Sequence, residues 1–115
     1  MAKTETIKVN SLPAMETNGF AQYSIPANGV LTLTATGTLR FLLVTIGANA
    51  EANGMYIVTM APGYTTTVTT IFNSTGTTIG RDAGKLTLTS SINDINYANL
   101  FCLGTYSLKD WLTAS

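Results

Sequence analysis

The sequence contains no histidine and only one cysteine among its 115 residues. Without histidine, neither a Ser-His-Asp nor a Cys-His catalytic arrangement is available, and the commonest zinc ligand is missing. The single cysteine, Cys102, allows no internal disulfide and no cysteine-based zinc site. Its apolar neighbours Leu100, Phe101 and Leu103 predict a buried and unreactive thiol. We therefore expect no catalytic residues, no metal site and no cofactor.

Charge is also scarce. Charged residues make up 10% of the chain, against about 25% in an average globular protein, and the formal net charge is zero. Nucleic-acid binding requires a basic stripe that neutralises phosphates. The basic residues are instead scattered along the chain: Lys3, Lys8, Arg40, Arg81, Lys85 and Lys109. We expect no nucleic-acid partner.

Long hydrophobic runs are absent too. No stretch of eighteen apolar residues occurs, and the segment Met1–Glu5 is polar. A membrane-spanning helix needs about 20 apolar residues, and a secretory signal needs an apolar core after a basic start. We expect neither a membrane partner nor a signal peptide in this chain.

Carboxylates are too few for a dense metal site, but one enzyme hypothesis stays open. A glycoside hydrolase needs two carboxylates about 5–10 Å apart beside a groove. Glu51 and Asp94 would form such a pair if their loops met at one end of the molecule. Solvated loop carboxylates are the favoured interpretation of both residues.

What the chain does contain is an alternation of leucine and threonine, as in Leu31–Thr34 and Leu86–Thr89. Successive side chains of a β-strand point to opposite faces, so this alternation predicts strands with one apolar face and one polar face. No helical period is sustained, and Asn-Gly pairs and prolines separate the runs.

The pattern predicts an all-β chain, a small antiparallel β-sandwich with about eight strands and a jelly-roll-like arrangement, with a closed barrel as the alternative. Residues 1–115 fit one domain, in which 1–12 form a strand or a connection to a shaft and 108–115 a C-terminal extension. Asn73–Gly84 is predicted as the longest exposed loop. The predicted strands are Thr6–Leu12, Phe20–Ile25, Val30–Thr36, Leu39–Ile46, Met55–Ala61, Thr66–Phe72, Lys85–Ser91 and Tyr97–Ser107.

Three segments are apolar on both faces: Leu39–Ile46, Met55–Met60 and Leu100–Leu103. A two-sheet sandwich covers only its inner faces, so the second apolar face needs another cover. We expect a homo-oligomer, although loops and the C-terminal extension of a monomer are an alternative cover. The predicted interface residues are Phe41, Leu43, Tyr56, Val58, Phe101 and Leu103.

Sugar binding is compatible with the composition. Tyrosine and tryptophan rings stack on sugars, while asparagine and threonine side chains donate and accept hydrogen bonds. We predict Tyr64, Trp111 and Asn73 as ligand-binding residues. A stand-alone carbohydrate-binding, lectin-like module is therefore one functional hypothesis.

The order of these segments supports a second hypothesis. Ile25–Leu33 is followed by Gly37–Val44, a tyrosine-containing central strand, Lys85–Thr89 and a final strand Leu100–Gly104. This layout resembles the small β-sandwich head domains of bacteriophage tail fibres and receptor-binding proteins. The resemblance implies a non-enzymatic homotrimer in a virion or outside the cell that binds a bacterial surface glycan or protein. It implies no particular binding residue.

Overall fold

The computed structural model describes residues 14–16, 19–47, 53–102 and 112–115, and these ranges form two packed β-sheets. Ten strands occur within them. They are β1 (Ala14–Glu16), β2 (Phe20–Ile25), β3 (Val30–Ala35), β4 (Leu39–Ile46), β5 (Gly54–Met60), β6 (Thr67–Phe72), β7 (Thr77–Asp82), β8 (Lys85–Ser90), β9 (Asn96–Cys102) and β10 (Leu112–Ala114).

All strand pairs are antiparallel. The larger sheet has the order β1-β2-β9-β4-β5-β6, and the smaller sheet has the order β10-β3-β8-β7. The chain changes sheet after β2, β3, β6, β8 and β9. β2 pairs with β9 in the larger sheet, and β3 pairs with β8 in the smaller one. The predicted fold class, a small antiparallel β-sandwich, is confirmed.

The leucine-threonine strands form the inner wall of the smaller sheet. Leu31 lies opposite Leu88 and Leu33 opposite Leu86, and all four leucines are buried. The threonines between them point to the outer face, as the period of two requires. Burial of each leucine side chain stabilises the fold by about 1.5–3 kcal/mol. This burial is the main reason why the alternation of leucine and threonine favours a sheet.

The larger sheet supplies the opposite wall of the core. Its central strands β9, β4 and β5 bury alternate side chains on the face that packs against the smaller sheet. Large side chains among these are Leu100, Leu42, Ile46 and Tyr56, each exposed by less than 2% of its surface. The core therefore lies between the two sheets, with β4 and β9 at the centre of its larger wall.

The predicted strands Phe20–Ile25 to Lys85–Ser91 agree with the observed ones to within one residue at both ends, and the predicted final strand does so at its start. β9 is described as far as Cys102, so the rest of the predicted strand to Ser107 lies outside the described residues, as does all of Thr6–Leu12. Leu112–Ala114 pairs with the edge of β3, so this part of the C-terminal extension folds back on the sheet.

The predicted loop Asn73–Gly84 is wrong. Thr77–Asp82 forms β7, which pairs with β8 along its whole length. The strand has few apolar residues because it is the edge of its sheet, where hydrogen bonds to the β8 backbone hold it in place whatever its side chains are. Within the described ranges, no helix is long and apolar enough to cross a bilayer.

Candidate functional site

Four large apolar side chains form a continuous row on the outer face of the larger sheet. In register across β2, β9, β4 and β5 they are Phe20, Phe101, Leu43 and Ile57. The residues beside them along each strand are buried in the core, so these four side chains point away from it. We call this set the outer apolar row.

The row is partly open to solvent and has a polar border. The rings of Phe20 and Phe101 lie 4.9 Å apart at 46°, and Phe101 keeps 38% of its surface exposed. The neighbouring register row carries Gln22, whose Nε2 donates a hydrogen bond to Asn99 Oδ1 at 2.8 Å. An apolar centre beside a polar margin is the usual anatomy of a protein interface.

The predicted interface residues divide into two groups. Phe41, Leu43 and Phe101 lie on the outer face, whereas Leu103 is outside the described residues. The assignment of Tyr56 and Val58 to an interface is wrong, because both are buried in the core with exposures of 1% and 0%.

The sequence does not say which of two apolar faces is inward. In β5 the cross-strand register sends Tyr56 and Val58 inward, and it leaves Met55 and Ile57 on the outer face. Phe20 was missed as a row member. Its alternation with the buried residues Ala21 and Tyr23 is the signal that identifies its outward position.

A second feature is a cleft of about 390 Å³ at one edge of the sandwich, where β6 ends the larger sheet and β7 ends the smaller one. This volume falls within the range of about 300–1,000 Å³ that is typical of ligand sites. We call it the edge cleft. Its lining residues are Tyr56, Val68, Thr70, Asn73, Ser74, Thr77, Thr78, Ile79 and Arg81.

Hydrogen bonds hold both ends of the edge cleft. At the loop between β6 and β7, the Ser74 backbone N–H donates to Tyr56 Oη at 2.8 Å, and Ser74 Oγ donates to Asn53 Oδ1 at 2.9 Å. At the other end, Thr66 Oγ1 donates to the Asp82 carbonyl at 2.8 Å. The cleft walls are therefore tied together without any ligand.

The inward positions of β7 depart from the apolar pattern of the core. Thr77, Ile79 and Arg81 lie opposite Ser90, Leu88 and Leu86 of β8, whose side chains face the interior. Thr77 is 6% exposed, and among the described residues its hydroxyl oxygen has no hydrogen-bond partner. A buried hydroxyl without a partner costs about 1–3 kcal/mol, so this threonine lowers stability where a valine would not.

The edge cleft has a single charged residue in its lining, and it is a cation. Arg81 is its one charged lining residue, and it forms no ion pair with any acid in the described part of the chain. Its Nη1 donates to the Thr66 carbonyl at 3.4 Å, which leaves its other N–H groups available.

Two of the predicted ligand-binding residues are described, Asn73 and Tyr64, and they do not meet. Asn73 lines the edge cleft, but Tyr64 lies before the opposite end of β6, in a separate depression of about 380 Å³ beside Arg40. Tyr64 is 73% exposed, as its setting after Pro62-Gly63 suggests. Trp111 lies outside the described residues.

Of the carboxylate pair in the enzyme hypothesis, Asp94 alone lies among the described residues. Asp94 is exposed, and its Oδ1 accepts a hydrogen bond from the Ile95 backbone N–H at 2.8 Å, whereas Glu51 lies outside them. Across the described ranges, no group of three or more potential metal-binding side chains lies together.

Cys102 is buried at the end of β9, and this burial raises the pKa of its thiol because the charged thiolate is disfavoured away from water. We expect a thiol reagent at pH 8 to modify the native protein much more slowly than the urea-unfolded chain, as a colorimetric thiol assay measures. Equal rates in both states would contradict the burial.

The same pKa shift has a consequence at high pH. The folded protein holds the thiol proton after the unfolded chain has lost it, so Cys102 lowers stability as the pH rises above the ordinary thiol pKa of about 8.5. Cys102→Ala should reduce the loss of stability between pH 8 and pH 10, which urea titrations at the two pH values measure. An unchanged loss would exclude this contribution.

No protein-family model matches this chain, and searches of the curated proteins and of the solved structures find no match. The class of protein that the fold defines is a small antiparallel all-β sandwich. Arguments about function therefore start from its outer apolar row and its edge cleft.

Proposed function

We propose that this chain is a non-enzymatic structural and receptor-recognition module of the bacteriophage tail-fibre kind, located in a virion. In this proposal three copies associate through the outer apolar row, and the assembled sandwiches bind a bacterial surface glycan or protein. Presentation of several copies multiplies weak individual affinities by raising the effective concentration of the second and third sites.

The observation that carries the proposal is the outer apolar row itself. An antiparallel sheet with one solvated face normally has polar residues there, but this face carries two phenylalanines, a leucine and an isoleucine in adjacent strands. A contiguous apolar patch on a soluble protein commonly marks an interface. A second copy of the chain can cover this patch, because every copy carries the same apolar face.

The low charge of the chain agrees with this arrangement. Copies of a neutral protein do not repel one another strongly, and an interface core is generally depleted of charged residues. The order of the segments along the sequence also resembles that of tail-fibre heads, which are usually trimers. The number of copies, three, is taken from that resemblance.

The test is the mass of the intact chain in solution. We expect size-exclusion chromatography with light scattering at micromolar concentration to give three times the chain mass of 12.2 kDa. A monomer at that concentration would overturn the trimeric assembly, and it would favour the alternative, a stand-alone carbohydrate-binding module.

Variants identify the interface. Phe101→Ser and Leu43→Ser remove apolar surface from the row, so each should weaken association by about tenfold or more, measured by light scattering across a dilution series. Val30→Ser is the matched control, because Val30 is 48% exposed but lies in the smaller sheet. Equal weakening in all three variants would mean that the row is not the interface.

The genomic neighbourhood tests the phage assignment independently of the oligomer. We expect the gene for this chain to lie beside tail or baseplate genes. A setting among genes for carbohydrate degradation or metabolism would instead favour the stand-alone carbohydrate-binding module.

A further inference from the structure

We propose that the edge cleft binds a glycan unit that carries a carboxylate. Arg81 holds the acid group, and the hydroxyl and amide side chains around it hold the sugar hydroxyls. This inference rests on the recognition role proposed above, but it does not depend on the trimer.

The positive charge of Arg81 is the reason for expecting a carboxylate on the ligand. Arg81 is the one charged residue that lines the cleft, and no described acid forms an ion pair with it. A guanidinium group binds a carboxylate through two parallel charge-assisted hydrogen bonds, which are about twice as strong as neutral ones. Arg81 keeps donors free for this geometry, since the one hydrogen bond of its side chain is a long contact from Nη1 to the Thr66 carbonyl.

The other side chains that line the cleft are the reason for expecting a sugar as the ligand. Thr70, Thr78 and Asn73 are exposed, and their side chains make no hydrogen bonds to described residues. Hydroxyl and amide groups both donate and accept, and sugar hydroxyls need the same pair of functions. Thr77 also lines the cleft, and its buried hydroxyl has no hydrogen-bond partner among the described residues.

A neutral sugar is less well served by this cleft. Neutral sugars are commonly held by an exposed aromatic ring, but the aromatic residue here, Tyr56, is 1% exposed and its hydroxyl already accepts a hydrogen bond from Ser74. The charge of Arg81 must therefore supply the affinity that stacking supplies elsewhere. An acidic peptide shares the carboxylate but has fewer hydroxyl groups for the surrounding side chains.

The cleft also has the rigidity of a preformed site. Its walls are strands β6 and β7, and the Ser74 and Thr66 hydrogen bonds fix their two ends. A site that is ordered before binding loses less conformational entropy when the ligand enters.

The test uses the full chain labelled with ¹⁵N. Glucuronate, galacturonate and N-acetylneuraminate are titrated to millimolar concentration, with glucose and galactose as the matched sugars without a carboxylate and glutarate as a carboxylate without a sugar. We expect an acidic sugar to shift the backbone amide signals of Ser74, Thr77 and Arg81, with little change at Tyr64. The neutral sugars and glutarate should bind at least about tenfold more weakly.

Substitution of the cation tests its role. Arg81→Gln should weaken binding of the acidic sugar by about tenfold or more, because the charge-assisted pair is lost. Arg40→Gln is the matched control, since Arg40 lies in the separate depression beside Tyr64 and should not affect binding. Equal losses in the two variants would mean that general electrostatic attraction, rather than the cleft, binds the ligand.

Thr77→Val gives two effects of opposite sign. Removing the unpartnered hydroxyl should raise the thermal midpoint, whereas binding of the acidic sugar should weaken by several-fold. Unchanged affinity would exclude Thr77 from the ligand site.

The proposal is overturned if no acidic sugar produces shifts at the cleft, if neutral sugars bind equally well, or if glutarate alone accounts for the affinity, as an acidic-peptide site would predict. Light scattering on the same samples keeps this test separate from the assembly test. If the chain is a monomer that binds the acidic sugar, the trimer proposal is wrong and the acidic-sugar site stands. If the chain is a trimer that binds no acidic sugar, the acidic-sugar site is wrong and the trimer stands.

Discussion

Leu100→Ala is expected to lower the free energy of unfolding by about 2–5 kcal/mol, a large part of the stability of a small domain. Leu100 is fully buried in the central strand β9, where it packs in the core between the two sheets. Loss of its side chain removes apolar burial and leaves a cavity that rigid sheets fill poorly. Urea titration with tryptophan fluorescence or circular dichroism measures the change.

Phe101→Ala is the matched control, one residue along the same strand but on the outer face. We expect its effect to depend on protein concentration, because it acts on association between copies, whereas the effect of Leu100→Ala should be the same at every concentration. Equal and concentration-independent losses from both variants would contradict the assignment of the two faces.

Gly84→Ala is expected to lower the free energy of unfolding by about 2–5 kcal/mol. Gly84 has a φ of +69°, a left-handed angle that costs other residues roughly 1–2 kcal/mol. An added Cβ would also lie 3.1 Å from the Ala61 carbonyl oxygen. The glycine is held there by its own backbone, whose N–H donates to the Tyr64 carbonyl and whose carbonyl accepts from the Ala35 N–H, both at 2.8 Å.

Gly63→Ala separates the two causes. Gly63 has a similar φ of +78°, but an added Cβ would meet nothing within 4 Å. Its cost should therefore be the left-handed angle alone, roughly 1–2 kcal/mol. Urea titration of both variants measures the difference, and a Gly63→Ala variant as unstable as Gly84→Ala would mean that crowding against Ala61 contributes nothing.

Much of the fold is predictable from the chain because its strands bury one side chain in two. Alternation in Leu31–Thr34 and Leu86–Thr89 identifies both the strands and their inner faces. β7 escapes this reasoning, since its inward positions Thr77 and Arg81 are polar and only Ile79 follows the apolar pattern. An edge strand is stabilised by backbone pairing with its neighbour, and side-chain patterns do not report that pairing.

The candidate site was less predictable. Of the predicted ligand residues, Asn73 lies in the edge cleft and Tyr64 does not, while Trp111 lies outside the described residues. The sequence predicted a loop at Thr77 and Arg81, and β7 places both at inward positions. The cleft is made where the last strands of two different sheets meet. Residue types along the chain carry no information about that meeting.

By itself, the sequence determined that this protein is all-β, with no histidine chemistry, little charge and more apolar strand surface than one core requires. The two packed sheets, rather than a closed barrel, are seen in the tertiary structure. Only the tertiary structure decided which of the two apolar faces is inward, burying Tyr56 and Val58 and leaving Phe101 and Leu43 outside. The physical reason is that alternation specifies two faces but does not label them. Packing between the two sheets decides which face is inward, because long-range contacts bury the face whose side chains fit the other sheet.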